Sequence, residues 1–162
     1  TEWGNLKDPK VVVDRESERN SNMVRQNFYR AALALANNNR PDSAAVIIDK
    51  AMEYFPEDKI PLEYWHKSYA EVYYKAGQYE KGNDIIRLLF DKYYNETNYY
   101  LSLKPKFRSY YQEDSYLNIS ILYALIDDVR KFNSNDTEFI NELSEKFDFI
   151  SDYFQVQYNI KI

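Results

Sequence analysis

The sequence predicts an all-α protein built from antiparallel helical hairpins, and three observations carry that expectation. From Ser21 to the C-terminal end, apolar residues recur three and four positions apart, the period of a helix with one buried face. The punctuation is helical too: Pro41, Pro61 and Pro105 stand where helices open or break, and Gly77 where one stops. Only 3 Gly and 5 Pro among 162 residues leave little material for a turn-rich β fold.

Residues 1–20 read as an extended lead-in, because Pro9 and Val11-Val12-Val13 favour extended backbone and Asp14 to Asn20 has no period. The first helix opens at Ser21 and carries Val24, Phe28, Ala31, Ala32 and Leu35 on one face. Asn37-Asn38-Asn39 stops it, since Asn competes for backbone hydrogen bonds and tolerates left-handed backbone. Pro41 suits the first turn of a second helix with Ala44, Ala45, Ile48, Ala51 and Phe55 inward, ended by Pro56. Pro61 opens a third, running to about Ala76. The fourth spans Tyr79 to about Leu101, with Ile85, Ile86, Leu89 and Tyr93 at helical spacing, and Lys104-Pro105 breaks it. A fifth is expected from Phe107 to Phe132. A sixth follows Asn133-Ser134-Asn135-Asp136, with Asn135 as N-cap and Glu138 as its capping-box partner.

These helices repeat. A repeat of about 34 residues, helix–turn–helix, places small residues where its two helices cross and Pro at the exit. Residues 25–58 fit: Phe28, Ala31-Ala32 and Leu35 occupy the first helix, then Ala44, Ile48, Ala51 and Pro56 the second. A second unit, 63–103, places Ala70, Tyr73, Gly77, Tyr79, Gly82 and Ile86, but Leu89 and Tyr94 depart from the pattern at its end. Residues 105–158 keep the hairpin and lose the register, as a terminal cap does. The expected architecture is a short tetratricopeptide-like (TPR-like) right-handed solenoid over residues 21–162, with a divergent C-terminal capping hairpin.

Composition removes several classes of function. With 21 Lys and Arg against 26 Asp and Glu the chain carries net charge −5, which argues against a nucleic-acid platform or an anionic membrane surface. No Cys excludes thiolate catalysis and Cys-ligated zinc, and the single His66 excludes His-pair metal sites. The most apolar window, Leu117 to Ile126, contains Asn118 and Ser120 and is too short to span a bilayer, which needs about 20 apolar residues. Thr1-Glu2-Trp3-Gly4 has no signal-peptide pattern. A start at Thr1 rather than Met leads us to expect an excised fragment or a processed product.

The order of local features adds a resemblance. Trp3-Gly4-Asn5 precedes Arg25-Gln26-Asn27-Phe28; then come Asp42-Ser43-Ala44, Met52 to Pro56, Lys59-Ile60-Pro61, Tyr73 to Gly77 and Asn98 to Leu103. Over about residues 3–103 the chain resembles the soluble C-terminal region of an uncharacterised Bacteroidetes family of multi-pass membrane proteins. Their membrane part is similar to dolichyl-phosphate-mannose-type, protein O-mannosyltransferase-like glycosyltransferases. The resemblance implies a domain on the periplasmic side of the inner membrane. It transfers no catalytic residue, because those lie in the membrane part.

Individual residues are weighed against plain structural roles. His66, beside Trp65, has no second His or Cys to form a dyad and reads as structural. Asp127-Asp128 point about 100° apart on a helix and read as a solvated face. Gly77 and Gly82 belong to no phosphate-loop pattern; they read as a helix stop and a close-packing position. The sequons at Asn95, Asn118 and Asn135 are near chance in so Asn-rich a chain. Asp42-Ser43-Ala44 resembles a Bacteroidetes O-glycosylation signal but also begins a helix. In each Tyr pair (73-74, 93-94, 99-100, 110-111) one ring is expected inside and the other at a hairpin boundary.

The favoured reading is a non-enzymatic interaction module without metal or cofactor. Its partner would be a peptide, another protein or the membrane part of the same protein, with no nucleic acid and no membrane insertion by this segment. By template position the groove is lined by Gln26, Tyr29, Leu33 and Ala36, then Tyr64, Lys67, Glu71 and Tyr74. The alternative is a carbohydrate- or glycolipid-binding domain assisting glycosyl transfer, which exposed Tyr rings beside carboxylates would favour. A structural spacer is the third reading.

Overall fold

The computed structural model describes residues 5, 6 and 8–159, and among them there is no strand. The helices are α1 (Arg15–Asn37), α2 (Pro41–Tyr54), α3 (Lys67–Lys75), α4 (Tyr79–Ser102), α5 (Pro105–Arg108), α6 (Gln112–Phe132) and α7 (Thr137–Tyr158). The all-α expectation holds. No helix among the described residues is long and apolar enough to cross a membrane. The chain forms two compact units, Thr1–Gly82 and Asn83–Ile162, so the division falls inside α4 and inside the stretch read as the second repeat.

In the first unit α1 and α2 form a hairpin, and α3 packs against both. Ala32, Ala44, Ile48 and Ala51 are fully buried, and the three alanines let the hairpin's helices pack closely. Phe28 meets Tyr54 and Phe55 edge-on, with centroids 6.1 and 6.4 Å away. Asn39, with φ of 56°, supplies the left-handed stop after α1, and Gly77, with φ of 70°, does so after α3. Gly82 is a true close approach: a Cβ there would lie 2.6 Å from Cδ1 of the Tyr74 ring.

Two boundaries in this unit correct the sequence reading. The extended lead-in is shorter than expected, because α1 starts at Arg15, where the Asp14 carboxylate accepts the Ser17 amide at 2.8 Å. That backbone bond holds the Asp14 carboxyl below its ordinary value. Lys59 pins the remaining lead-in by donating to the Pro9 and Val11 carbonyls at 3.1 and 2.9 Å. The third helix does not open at Pro61. The Glu63 amide donates to His66 Nδ1 at 2.8 Å and the Pro61 carbonyl accepts from Arg25, so a 3-10 turn, Tyr64–His66, precedes α3.

In the second unit α6 and α7 form a hairpin, and α4 is tied to both. Asn118 donates to Glu96 at 3.0 Å, while Arg87 reaches Glu142 at 3.7 Å and lies 4.8 Å from the Phe139 ring. Leu122, Leu125, Val129, Leu143, Ile150 and Phe154 make the core. Here the expected fifth helix is broken into α5, a 3-10 turn at Ser109–Tyr111, and α6. The backbone leaves helical geometry at Tyr111, with φ of −108° and ψ of 17°, and the Arg108 carbonyl nearby accepts the Tyr158 hydroxyl at 2.8 Å. The N-cap of α7 is Asp136 rather than Asn135. Its carboxylate accepts the Phe139 amide at 3.1 Å and the Asn83 amide group at 2.7 Å, a tertiary partner that Asn135 lacks.

Candidate functional site

The groove residues all lie in the first unit. On α1, Gln26, Tyr29, Leu33 and Ala36 recur three to four apart and form one stripe. Gln26 is exposed and the other three are half-buried. Tyr29 marks where the stripe meets α3, its ring centroid 6.4 Å from that of Tyr69. Tyr64, Lys67 and Glu71 continue along the 3-10 turn and α3, each half-buried. Lys67 Nζ sits 5.1 Å from the Tyr64 ring centroid, a cation–π contact. Glu71 pairs with Lys75 at 2.6 Å.

Tyr74 does not belong with them. It is 5% exposed, its ring lies against Gly82, and Tyr79 stands 6.2 Å away. Its side chain is committed to packing. The open stripe therefore consists of seven residues rather than eight, and its polar ends (an amide, an ammonium and a carboxylate) alternate with Tyr and aliphatic surface.

Behind the stripe lies a feature that the sequence reading missed. Arg25 is fully buried. Its guanidinium donates to the Phe55 carbonyl at the end of α2, and more weakly to Pro61 and Asn22 at 3.5 Å. Tyr69 closes the arrangement by donating to the Arg25 carbonyl at 3.0 Å. Burial pushes Arg25 down to about 10, so it is still charged at neutral pH, and burial pushes the Tyr69 hydroxyl up. The signal was legible: Arg25 falls three before Phe28 and seven before Ala32, on the apolar face. A second link joins α2 and α3, where Asp49 accepts Tyr73 and Lys81, each at 2.8 Å. Burial, then the bond to Asp49, raises Tyr73.

The remaining candidates resolve individually. His66 is fully buried and stacked on Trp65 with centroids 3.6 Å apart, and its Nδ1 accepts the Glu63 amide. That is a packing and capping role. Asp127 is exposed and Asp128 half-buried. Asn118 is buried and committed to Glu96, whereas Asn95 and Asn135 are exposed. Ser43 is half-buried, and its hydroxyl accepts Arg40 at 3.3 Å. Among the described residues no group of three or more His, Asp or Glu comes together to hold a metal. The Tyr pairs do not share one rule: Tyr73 and Tyr74 are both buried, Tyr110 and Tyr111 both exposed. Tested against protein-family models, curated proteins and solved structures, the sequence finds no match in any of the three.

Proposed function

We propose that this chain is a non-enzymatic, TPR-like interaction module that binds an extended peptide segment along the α1–α3 stripe. Following the family resemblance, the module would serve a membrane-embedded, glycosyltransferase-like protein from the periplasmic side. The observation that carries this reading is the packing of α3 on α1. It sets the two first-of-hairpin helices side by side while Gln26, Tyr29, Leu33, Ala36, Tyr64, Lys67 and Glu71 keep access to solvent. Such a surface suits a peptide. Half-buried Tyr rings offer area at small entropic cost, and Gln26, Lys67 and Glu71 can take the partner's polar groups. Arg25 behind the stripe holds α1 to the end of α2, so the surface is formed before any partner arrives.

Panning a displayed peptide library against the chain tests this. Peptides selected on the wild type should lose at least about tenfold in affinity to Tyr29→Ala and to Lys67→Glu, and little to Val46→Ala on the exposed side of α2. Selected peptides that ignore Tyr29 and Lys67 would remove the groove assignment.

A further inference from the structure

The second unit holds a cleft of about 600 Å³ where the 3-10 turn enters α6, lined by Ser109, Tyr110, Gln112, Glu113, Tyr116 and Phe154. That volume lies inside the range of about 300 to 1,000 Å³ found for small-ligand sites. Its walls are held from behind. Tyr111 stacks on Tyr100 with centroids 4.4 Å apart and planes 9° from parallel, and the Tyr100 hydroxyl donates to Glu96 at 2.8 Å. Ser115 donates to the Tyr111 carbonyl at 2.7 Å, and Tyr158 to the Arg108 carbonyl at 2.8 Å. Phe154, fully buried, forms the floor against Tyr116 and Tyr158.

The lining is unlike its supports. Tyr110 is 74% exposed and Tyr116 is 56% exposed, a large apolar area left in water next to a packed core. Gln112 and Glu113 are exposed, and among the described residues neither side chain, nor either of those two Tyr hydroxyls, has a hydrogen-bond partner. The cleft thus combines two exposed rings with a carboxylate, an amide and three hydroxyls, on a frame whose own hydrogen bonds are already made.

The geometry points to a binding site for an uncharged pyranose, as a single sugar or one ring of an oligosaccharide. A pyranose presents weakly positive C–H groups on its faces and hydroxyls around its rim. The negative face of a Tyr ring attracts the first. The second can donate to the Glu113 carboxylate, the strongest acceptor in the cleft, and exchange bonds with Gln112 and Ser109. Glu113 disfavours a phosphorylated or carboxylated sugar by like-charge repulsion. This site lies in the second unit and is independent of the peptide stripe proposed in the first.

The test is two-dimensional amide NMR on the chain titrated with cellotetraose, chitotetraose and α-mannotetraose. Choline serves as a cationic probe and glucose 6-phosphate as an anionic one. We expect at least one neutral oligosaccharide to give saturable shifts at the Tyr110, Gln112, Glu113 and Tyr116 amides. Tyr110→Ala, exposed and without a packing role, should weaken that affinity at least about tenfold with an unchanged melting curve. Phe149→Ala, exposed on α7 outside the cleft, should leave it intact. Absence of saturable shifts with all three oligosaccharides would overturn the assignment, as would equal binding by Tyr110→Ala. Choline or glucose 6-phosphate occupying the cleft where the neutral sugars do not would overturn it as well.

Discussion

Tyr73-Tyr74 and Tyr110-Tyr111 are the same dipeptide in two settings. In the first unit both rings are buried, at 3% and 5% exposure, and the Tyr73 hydroxyl is paid off by Asp49 at 2.8 Å. In the second, Tyr110 stands 74% exposed, while Tyr111 lies flat on Tyr100 at the surface. The backbone explains the contrast. Tyr73 and Tyr74 lie in α3 about 100° apart, and each meets a different neighbour: Tyr73 reaches Asp49 on α2, and Tyr74 lies against Gly82 at the start of α4. Tyr110 and Tyr111 lie in a 3-10 turn at the edge of a hairpin, where one direction faces protein and the other water. Tyr suits either setting because it has an apolar body and a polar tip.

The largest expected effect separates the two pairs directly. Tyr73→Ala removes a buried ring and leaves Asp49 without its hydroxyl partner, so it should cost about 3 to 5 kcal/mol. Tyr110→Ala should stay within about 0.5 kcal/mol. Urea unfolding of both variants measures the difference, and comparable losses would mean that the second-unit turn is packed after all.

Arg25→Leu asks whether the first unit depends on internal polar pairing as strongly as on ring burial. The replacement fills the space but strands the Phe55 and Pro61 carbonyls, and a loss of about 1.5 to 3 kcal/mol is expected in the same assay. A neutral result would show that water can replace the guanidinium.

Within α2 the contrast between buried and open neighbours sharpens further. Ala44→Leu forces added carbons into a fully buried crossing and should cost on the order of 1 to 3 kcal/mol. Ser43→Leu, half-buried beside it, should change stability by no more than about 0.5 kcal/mol. The reverse order would dismantle the repeat register, and with it the groove.

The smallest effect is confined to alkaline solution. Burial raises the folded-state values of Tyr69 and Tyr73, and burial followed by the Glu96 bond raises Tyr100. Above pH about 10 the unfolded chain therefore releases these protons first. Stability from these groups is fully present below that pH and declines as pH rises beyond it. Arg25, lowered to about 10, acts in the opposite direction with one proton against three. The urea midpoint should fall as the solution passes from below to above pH about 10, with tyrosinate absorbance rising together with unfolding. An unchanged midpoint would mean that the buried hydroxyls ionise without cost.

The sequence by itself determined the helices, since period and punctuation are local properties. Pro41, Gly77, the Asn37-Asn38-Asn39 stop and the buried face of Ala44, Ile48 and Ala51 all stand where the pattern put them. It also marked Gly82 as a close approach, because a small residue at a fixed offset reports the distance between helices. What only the tertiary structure decided were the places where a distant group competes for the backbone. Arg25 reaches the Pro61 carbonyl ahead of the late start of α3, Tyr158 binds the Arg108 carbonyl beside the break in the expected fifth helix, and Asn83 helps place the cap of α7 at Asp136. The fate of each Tyr belongs to the same class. A ring's burial depends on how many neighbouring helices face it, and helical period gives the direction of a side chain without naming what stands opposite. Tyr74 was for that reason read as open groove when it is packed on Gly82, and the one-in, one-out expectation for Tyr110 and Tyr111 gave way to two exposed rings.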